Sequence, residues 1–495
     1  MRKKKAVAAP VAAELQAAKK QKAKEDRPAK KARAKGPAKV PELNPTIQRP
    51  DVTANVYVFG KGEMAELGLG PAANARVVKR PRINHFLLPD KVGVVQMACG
   101  GMHSLALTKD GKVYSWGVND QGALGRETKW EAPIKDADAS DSEDEDLDIN
   151  PKESTPGLVE GFPDGINIVQ VAAGDSISVA VTDEGFVYAW GTFRCSDGIL
   201  GFSEKSRVAL RPERVTALKD VVQVCTGTDH ILALTKSGHV FAWGNGQQFQ
   251  LGRRVVERTR LNGLSPREFG LHNIKLIGAG SYHSFAVDNK GKVFAWGVNQ
   301  YAQCGLYDDE DSPTGGALIP TPTEVKSLAN YDIVHITAGE HHSAAITKEG
   351  DLLMWGRIDA NQLGLDRTII DPANFVKDVS GKDRFLTVPT KIPDMKFSWI
   401  GCGTHHNVAI GKEDGSAWSW GFGESYQVGL GPNTDDVAFP TQIVNTATAG
   451  VRMFWSGCGG QFSVLMGNPD PSLEKPGDNE GAGENAGAKA VNGTS

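Results

Sequence analysis

The sequence predicts an all-β protein, a seven-bladed β-propeller closed by pairing of its N-terminal and C-terminal strands. Two repeated half-motifs predict it. A small residue followed by Gly-x-x-His-Ser, or a variant of it, recurs with its glycine at Gly100, Gly174, Gly227, Gly280, Gly339, Gly403 and Gly459. A strand ending in an aromatic residue and glycine recurs at Phe59-Gly60, Trp116-Gly117, Trp190-Gly191, Trp243-Gly244, Trp296-Gly297, Trp355-Gly356 and Trp420-Gly421. The two series are offset, so the chain opens with an unpartnered aromatic-Gly strand and closes with an unpartnered Gly-x-x strand. Self-similarity of this period belongs to solenoids and propellers. An open array would waste both end halves, whereas a ring uses both.

Each unit reads as a strand, a tight turn and a second strand. In the first, residues 104–107 meet the turn Lys109-Asp110-Gly111 and return as 113–116. Large and small residues alternate with period 2, the mark of a strand with two different faces. Six such turns carry glycine (Gly111, Gly185, Gly238, Gly291, Gly350 and Gly415), where positive φ is wanted. The seventh turn is missing because the ring is cut there, and 55–59 are expected to pair with 462–466. Alanine holds one matched position in six units (Ala106, Ala180, Ala233, Ala286, Ala345 and Ala409), letting sheets approach closely. Residues 55–466 give about 59 per unit, ample for a four-stranded blade.

The net charge of −4 hides an asymmetry: residues 1–39 hold 14 Lys/Arg against 3 Asp/Glu, a net of +11, leaving −15 for the remainder. Residues 1–50 are expected to form a disordered basic tail, because they hold little apolar surface to bury. The clusters Arg2, Lys3, Lys4, Lys5 and Lys30, Lys31, Arg33, Lys35 read as a nuclear import signal and a contact for DNA. The propeller is expected over 51–467, interrupted by an acidic disordered insert at 131–155. Eight of the thirteen residues in 136–148 are acidic, so this run repels itself. A disordered tail is expected over 468–495. No apolar run is long enough to span a membrane. Cys99, Cys402 and Cys458 take the small-residue slot before a repeat glycine, which packing explains better than disulfides or metal.

A residue that recurs from unit to unit is structural, because a single site needs single residues. His103, His230, His283, His342 and His406 recur three residues after the repeat glycine, and a shared hydrogen bond to backbone is the expected role. No Cys/His pair has zinc spacing, and neither a phosphate-binding loop nor a nucleophile–base pair occurs. Covalent catalysis, a cofactor and a metal are therefore not expected. What the repeat does not require is more informative. After Trp190-Gly191 comes a turn-rich insertion, Thr192-Phe193-Arg194-Cys195-Ser196-Asp197-Gly198-Ile199-Leu200-Gly201, able to project from the ring. Asp175, Asp229 and His341 all fall at strand starts, hence near one common rim. Arg253, Arg258 and Arg260 form a basic patch in the long connection between Gly252 and Gly280.

The repeat Gly-x-x-His-Ser-x-Ala-Leu-Thr-x-x-Gly-x-Val-Tyr-x-Trp-Gly resembles the regulator of chromosome condensation family, over residues 55–466. The founding member of that family is the guanine-nucleotide exchange factor for the small GTPase Ran. The insertion after Trp190-Gly191 looks like its wedge, and Phe59-Gly60-Lys61-Gly62-Glu63 and Cys458-Gly459-Gly460-Gln461-Phe462-Ser463 look like fungal members. The resemblance implies a nuclear, chromatin-associated exchange factor that promotes GDP release and GTP loading on Ran, for nucleocytoplasmic transport and mitosis. It implies GTPase contacts at Asp175, Thr192, Phe193, Arg194, Ser196, Asp197, Asp229, Arg253 and His341. It also implies nucleosome contacts at Arg258 and Arg260, with nucleosome core histones, DNA and a nuclear import receptor as partners. A monomer is expected. Two departures are Glu63, where the family commonly has Asp, and the acidic insert. The rivals are a propeller that only binds partners and a tryptophan-based light sensor on the same ring. The second has little support, because six of the ten tryptophans belong to the Trp-Gly repeat.

Overall fold

The computed structural model describes residues 42–132, 149–307, 316–432, 434–470 and 472. Six four-stranded antiparallel sheets and one five-stranded sheet form the seven blades, with a separate two-stranded ribbon beside them. The first blade contains Val94–Cys99, His103–Thr108, Val113–Gly117 and Gly157–Leu158, and the next five repeat this order. The closing blade joins Val451–Cys458 and Phe462–Pro469 to Asn55–Lys61 and Val77–Ile83. Its register sets Val56 against Met466, Tyr57 against Leu465 and Phe59 against Ser463, the pairing expected from the offset repeats. In every blade the inner strand runs to the repeat glycine, the second strand returns, and the third runs back to the aromatic-Gly pair. The repeat glycines therefore lie on one face of the ring and the hairpin turns on the other.

The joints between blades are polar as well as apolar. His103 Nε2 meets Ser178 Oγ of the next blade at 2.8 Å, and Ser178 donates to the Ala123 carbonyl at 2.8 Å. Trp190 Nε1 donates to that same carbonyl at 2.8 Å. The arrangement recurs as His283, Ser343, the Gln303 carbonyl and Trp355. In His342, Asn407, the Gln362 carbonyl and Trp420, the asparagine replaces the serine. Because each serine gives its proton to a carbonyl, the histidine must donate from Nε2–H. The expected histidine bond to backbone is thus corrected: the partner is the side chain of the next blade's serine or asparagine, and that group reaches the backbone. Two joints lack the histidine. Ile177 replaces it in the second blade, and Ile231 replaces the matching serine in the third; both are fully buried in one apolar cluster. At the closure Phe462 takes the place, and Ser104 points to Cys99 Sγ instead.

Burial holds these imidazoles neutral, pushing His103 and His342 down to about 4 and His230 and His406 to about 3. Folded chains then bind fewer protons than unfolded ones, so this stability is present above pH ~6.5 and is lost as pH falls towards the folded values. A second set of joints lies nearer the axis. Gln96, Gln170 and Gln223 accept from the Val171, Val224 and Ile277 amides of the next blade at 3.1, 2.9 and 3.1 Å.

Three expected boundaries move. Residues 42–50, placed in the tail, belong to the folded unit: the Leu43 and Asn44 amides donate to the Lys236 carbonyl at 2.7 and 2.9 Å. Asn44 Nδ2 reaches the Thr235 and Ile274 carbonyls, and Arg49 reaches that of Ile168. These polar side chains find spare carbonyls on the hairpin-turn face of three blades, which composition cannot reveal. Residues 149–155, placed in the acidic insert, are also ordered: Asn150 caps the short helix Pro151–Ser154, and Ser154 is buried. The closing strand runs to Pro469, with Asn468 donating to the Thr53 carbonyl at 2.8 Å. The basic clusters of the tail, the run 136–148 and residues 473–495 lie outside the described residues.

Replacing His283 by Ile alone should lower stability by about 1–3 kcal/mol, because Ser343 loses a buried donor. Replacing His283 and Ser343 together by Ile should recover part of that loss, as the natural Ile177–Ile231 pair does. Urea unfolding of the two variants checks this; additive losses would contradict the joint.

Candidate functional site

All seven repeat glycines line one mouth, a cavity of about 400 Å³. A Cβ on Gly100 would lie 2.0 Å from the Gly174 carbonyl oxygen, and one on Gly227 would lie 2.4 Å from that of Gly280. Glycine is needed there because successive blades touch through backbone. The glycines are joined by neighbours that supply charge: Asp175 and Glu340 line the mouth, with Thr228, Ser281 and Tyr282 between them.

Beside the mouth stands the insertion, now a two-stranded hairpin of Phe193–Cys195 and Gly198–Gly201 with Ser196 and Asp197 at its tip. Its root is fixed inside the ring. Phe193 is fully buried among Ile231, Trp243 and Leu264. Thr192 is fully buried, with its amide on the Ser176 carbonyl at 2.9 Å and its hydroxyl on the Arg207 carbonyl at 2.8 Å. The expectation that Thr192 and Phe193 touch a partner is therefore corrected: both are buried, and Thr192 by its hydrogen bonds and Phe193 by apolar packing root the hairpin. Arg194, Ser196 and Asp197 are exposed and form its presenting edge.

Asp229 is only 7% exposed, and its Oδ1 accepts the Arg194 amide at 2.6 Å. Its role in the free chain is to hold the hairpin to the start of the third blade's second strand. Burial raises its carboxyl to about 7, and the neighbouring Asp175 adds to the rise. Asp175 is raised too by burial, with Arg194 opposing. The tip has a second clamp that the sequence did not reveal. Ser196 and Gln247 exchange two hydrogen bonds, amide to Oε1 at 3.1 Å and Nε2 to hydroxyl at 3.0 Å. Arg260 pairs with Asp197 at the tip and with Glu257 at 3.0 Å. Arg260, assigned by resemblance to the nucleosome surface, thus lies against the hairpin tip, and two carboxylates already hold its guanidinium. Arg258 is exposed.

Arg253 is corrected as well. It is half-buried, with Nη2 near the Ala242 and Ser265 carbonyls at 3.4 Å each. Arg126, which follows Leu124-Gly125 as Arg253 follows Leu251-Gly252, makes the same kind of contact to the Ser115 and Thr155 carbonyls. A recurring arginine is a structural one. His341 does sit at the rim, its ring tilted at 40° against that of Tyr301 with centroids 4.8 Å apart and its Nε2 3.5 Å from Glu340. Burial lowers its proton affinity, Glu340 opposes this, and Arg357 and His405 lower it further. Tyr301, Glu340 and His405 belong to this rim cluster and carried no sequence signal, because none departs from what a loop or repeat position tolerates. Arg2, Lys3, Lys4, Lys5, Lys30, Lys31, Arg33 and Lys35 lie outside the described residues.

Ring, clamped hairpin and acidic mouth together define a seven-bladed propeller with one elaborated, charged face. The RCC1-like domain matches residues 55–465, and the chain belongs to that family. It is 47% identical over 424 residues to the guanine nucleotide exchange factor SRM1 of Saccharomyces cerevisiae, covering 83% of this chain and 87% of that protein. The structure of Prp20p from Saccharomyces cerevisiae, described with its binding to Gsp1p and histones, aligns with a TM-score of 0.79 and 43% identity. That alignment covers 86% of this chain and 94% of that one. Yeast RCC1 (Prp20) bound to Kap60 aligns with a TM-score of 0.80 and 42% identity, over 90% and 97% of the two chains.

The raised Asp229 carboxyl predicts a pH signature. The folded chain binds its proton more tightly than the unfolded chain, so stability tied to this group is present below pH ~4 and lost as pH rises through about 7. Asp229→Asn keeps the acceptor for Arg194 without the titration. The melting temperature of the variant minus that of the native chain should therefore grow from pH 4 to pH 7 and then level. Parallel melting curves across that range would contradict it.

Proposed function

We propose that this chain is a guanine-nucleotide exchange factor for the small GTPase Ran, nuclear and chromatin-associated, promoting GDP release and GTP loading. The observation that carries the reading is the exposed edge Arg194, Ser196 and Asp197, held rigidly beside an acidic mouth. A small GTPase grips its nucleotide through loop amides, a lysine and Mg²⁺. When the nucleotide leaves, positive charge is uncovered. The wedge displaces the phosphate-binding segment, and the carboxylates around the mouth, Asp175 and Glu340, offset the uncovered charge. Binding the empty state better than the loaded one must weaken nucleotide binding by the same factor. No bond is made or broken by this chain, and the cellular ratio of GTP to GDP sets the direction.

Of the two candidate nucleosome residues, Arg258 is free to meet an acidic histone surface, while Arg260 acts chiefly on the wedge tip. The basic tail serves an import receptor and DNA. Residues 42–50 run along the hairpin-turn face, on the other side of the ring from the mouth.

Release of a fluorescent mant-GDP from Ran tests the reading. Asp229→Ala, which frees the Arg194 amide, should slow release about tenfold or more, a barrier increase of ~1.4 kcal/mol. Asp229→Asn should retain most of the rate. An unchanged rate for Asp229→Ala would reject the wedge assignment. Arg260→Glu should slow release from free Ran, whereas Arg258→Glu should not; equal, native rates for both would return Arg260 to a purely nucleosomal role.

A further inference from the structure

The outer edge of the third blade carries a cluster that the exchange reading does not use. His239 follows the hairpin turn at Gly238, Glu268 lies on the outer strand Arg267–Glu268, and His272 lies in the connection to the fourth blade. Their donor atoms converge. His239 Nδ1 is 2.7 Å from Glu268 Oε1, His272 Nδ1 is 3.6 Å from the same oxygen, and the two Nδ1 atoms are 3.3 Å apart. Among the described residues this is the one group of three or more His, Cys, Asp or Glu donors close enough to share an ion.

We infer that His239, Glu268 and His272 bind a divalent transition-metal ion of the zinc class. The first argument is size. Four ligands at ~2.0–2.1 Å in a tetrahedron lie about 3.3 Å from one another, and the three observed separations bracket that edge. The second is proton count. A neutral imidazole carries one N–H, and if His239 donates Nδ1–H to Glu268, the lone pair of His272 Nδ1 faces the same oxygen without a proton. If His272 donates to His239 instead, the His239 lone pair faces a carboxylate oxygen at 2.7 Å. If both rings are protonated, two N–H groups oppose each other at 3.3 Å. A shared cation satisfies all three donors at once, with each ring keeping its proton on Nε2.

The frame is fixed before any ion arrives. The His239 amide donates to Thr235 Oγ1 at 3.2 Å, Phe241 pairs with Glu268 across the sheet, and Leu271, beside His272, is buried in the core. Two imidazoles and one carboxylate suit zinc, nickel or copper and not the oxygen-seeking magnesium or calcium. The side chains are 33%, 36% and 56% exposed in the order His239, Glu268, His272, so the fourth position opens to water or to a partner's side chain. Such an ion would tie together the turn, the outer strand and the connection to the next blade. No spacing rule finds it, because the ligands come from three separate segments; the sequence expectation of no metal rested on local spacing alone.

The test uses the full chain, stripped with a chelator and titrated with Zn²⁺ by calorimetry and with Co²⁺ by visible absorption. One ion per chain is expected, with a tetrahedral cobalt spectrum lacking thiolate character and a zinc-induced rise in melting temperature. The double variant Glu268→Gln/His272→Ala should lose about tenfold or more in affinity and lose the melting shift, with its circular dichroism unchanged. Absence of binding at about millimolar Zn²⁺, or native affinity in the double variant, would overturn the site. Because the cluster lies at the opposite end of its blade from the wedge, mant-GDP release should be the same for variant and native chains, so this proposal and the exchange reading fail separately.

Discussion

The fastening of each blade to the next is the constraint on which the molecule depends. A carbonyl in the loop after one blade's Trp-Gly receives two donors from the following blade, a serine or asparagine side chain and an indole N–H, and a histidine from its own blade reaches the same serine or asparagine. Apolar burial alone would let sheets slide, because hydrophobic contact has no direction. The joint supplies direction and fixes the distance at which the next repeat glycine must meet its neighbour's backbone. Where Ile177 replaces the histidine, the matching serine is lost as well: Ile177 and Ile231 lie in one apolar cluster, and neither leaves a buried polar group without a partner, whereas at the closure Phe462 replaces the histidine and Ser104 turns to Cys99 Sγ.

The candidate site inherits its rigidity from these joints. Asp229, which holds the wedge by the Arg194 amide, immediately precedes His230, whose Nε2 bonds Ser284 of the fourth blade at 2.8 Å. The hairpin root, Thr192 and Phe193, is part of the second blade's packing against the third. The hairpin is thus an extension of a blade boundary, clamped at its tip by Gln247 and Arg260 from the third blade's own connection. The exposed residues Arg194, Ser196 and Asp197 are backed by two blades at once. The buried acid near the mouth is the cost of this design, since Asp229 stays charged at neutral pH only partly and against its burial.

Much of the fold was legible because its determinants repeat. Glycines at fixed spacing, the offset of the two half-motifs and the six alanines led to seven blades and to the register of the closing strands. The chemistry of the joints was less legible, because the partner of His103 lies 75 residues downstream and that of His230 lies 54. The paired replacement by Ile177 and Ile231 is the trace that could have revealed a side-chain partner, and the expectation of a backbone bond missed it. At the site, departures from the repeat marked the residues that form the projecting hairpin and part of the rim. They could not separate buried roots from presenting residues, so Thr192 and Phe193 were read together with Arg194, Ser196 and Asp197. Arg253 could have been recognised as structural from its twin Arg126. The Asp197–Arg260 pair spans 63 residues and leaves no local trace, and residues 42–50 look like tail because their anchors are single polar side chains.

Amide hydrogen exchange on the full chain tests the central claim most directly, since it reads whether the hairpin belongs to the blade joints or moves as a loop. The account predicts that the Arg194 and Ser196 amides are protected to nearly the same degree as the strands flanking the second and third blades, and open with them. Exchange of these two amides at the rate of a free surface loop, with the joints still protected, would contradict it.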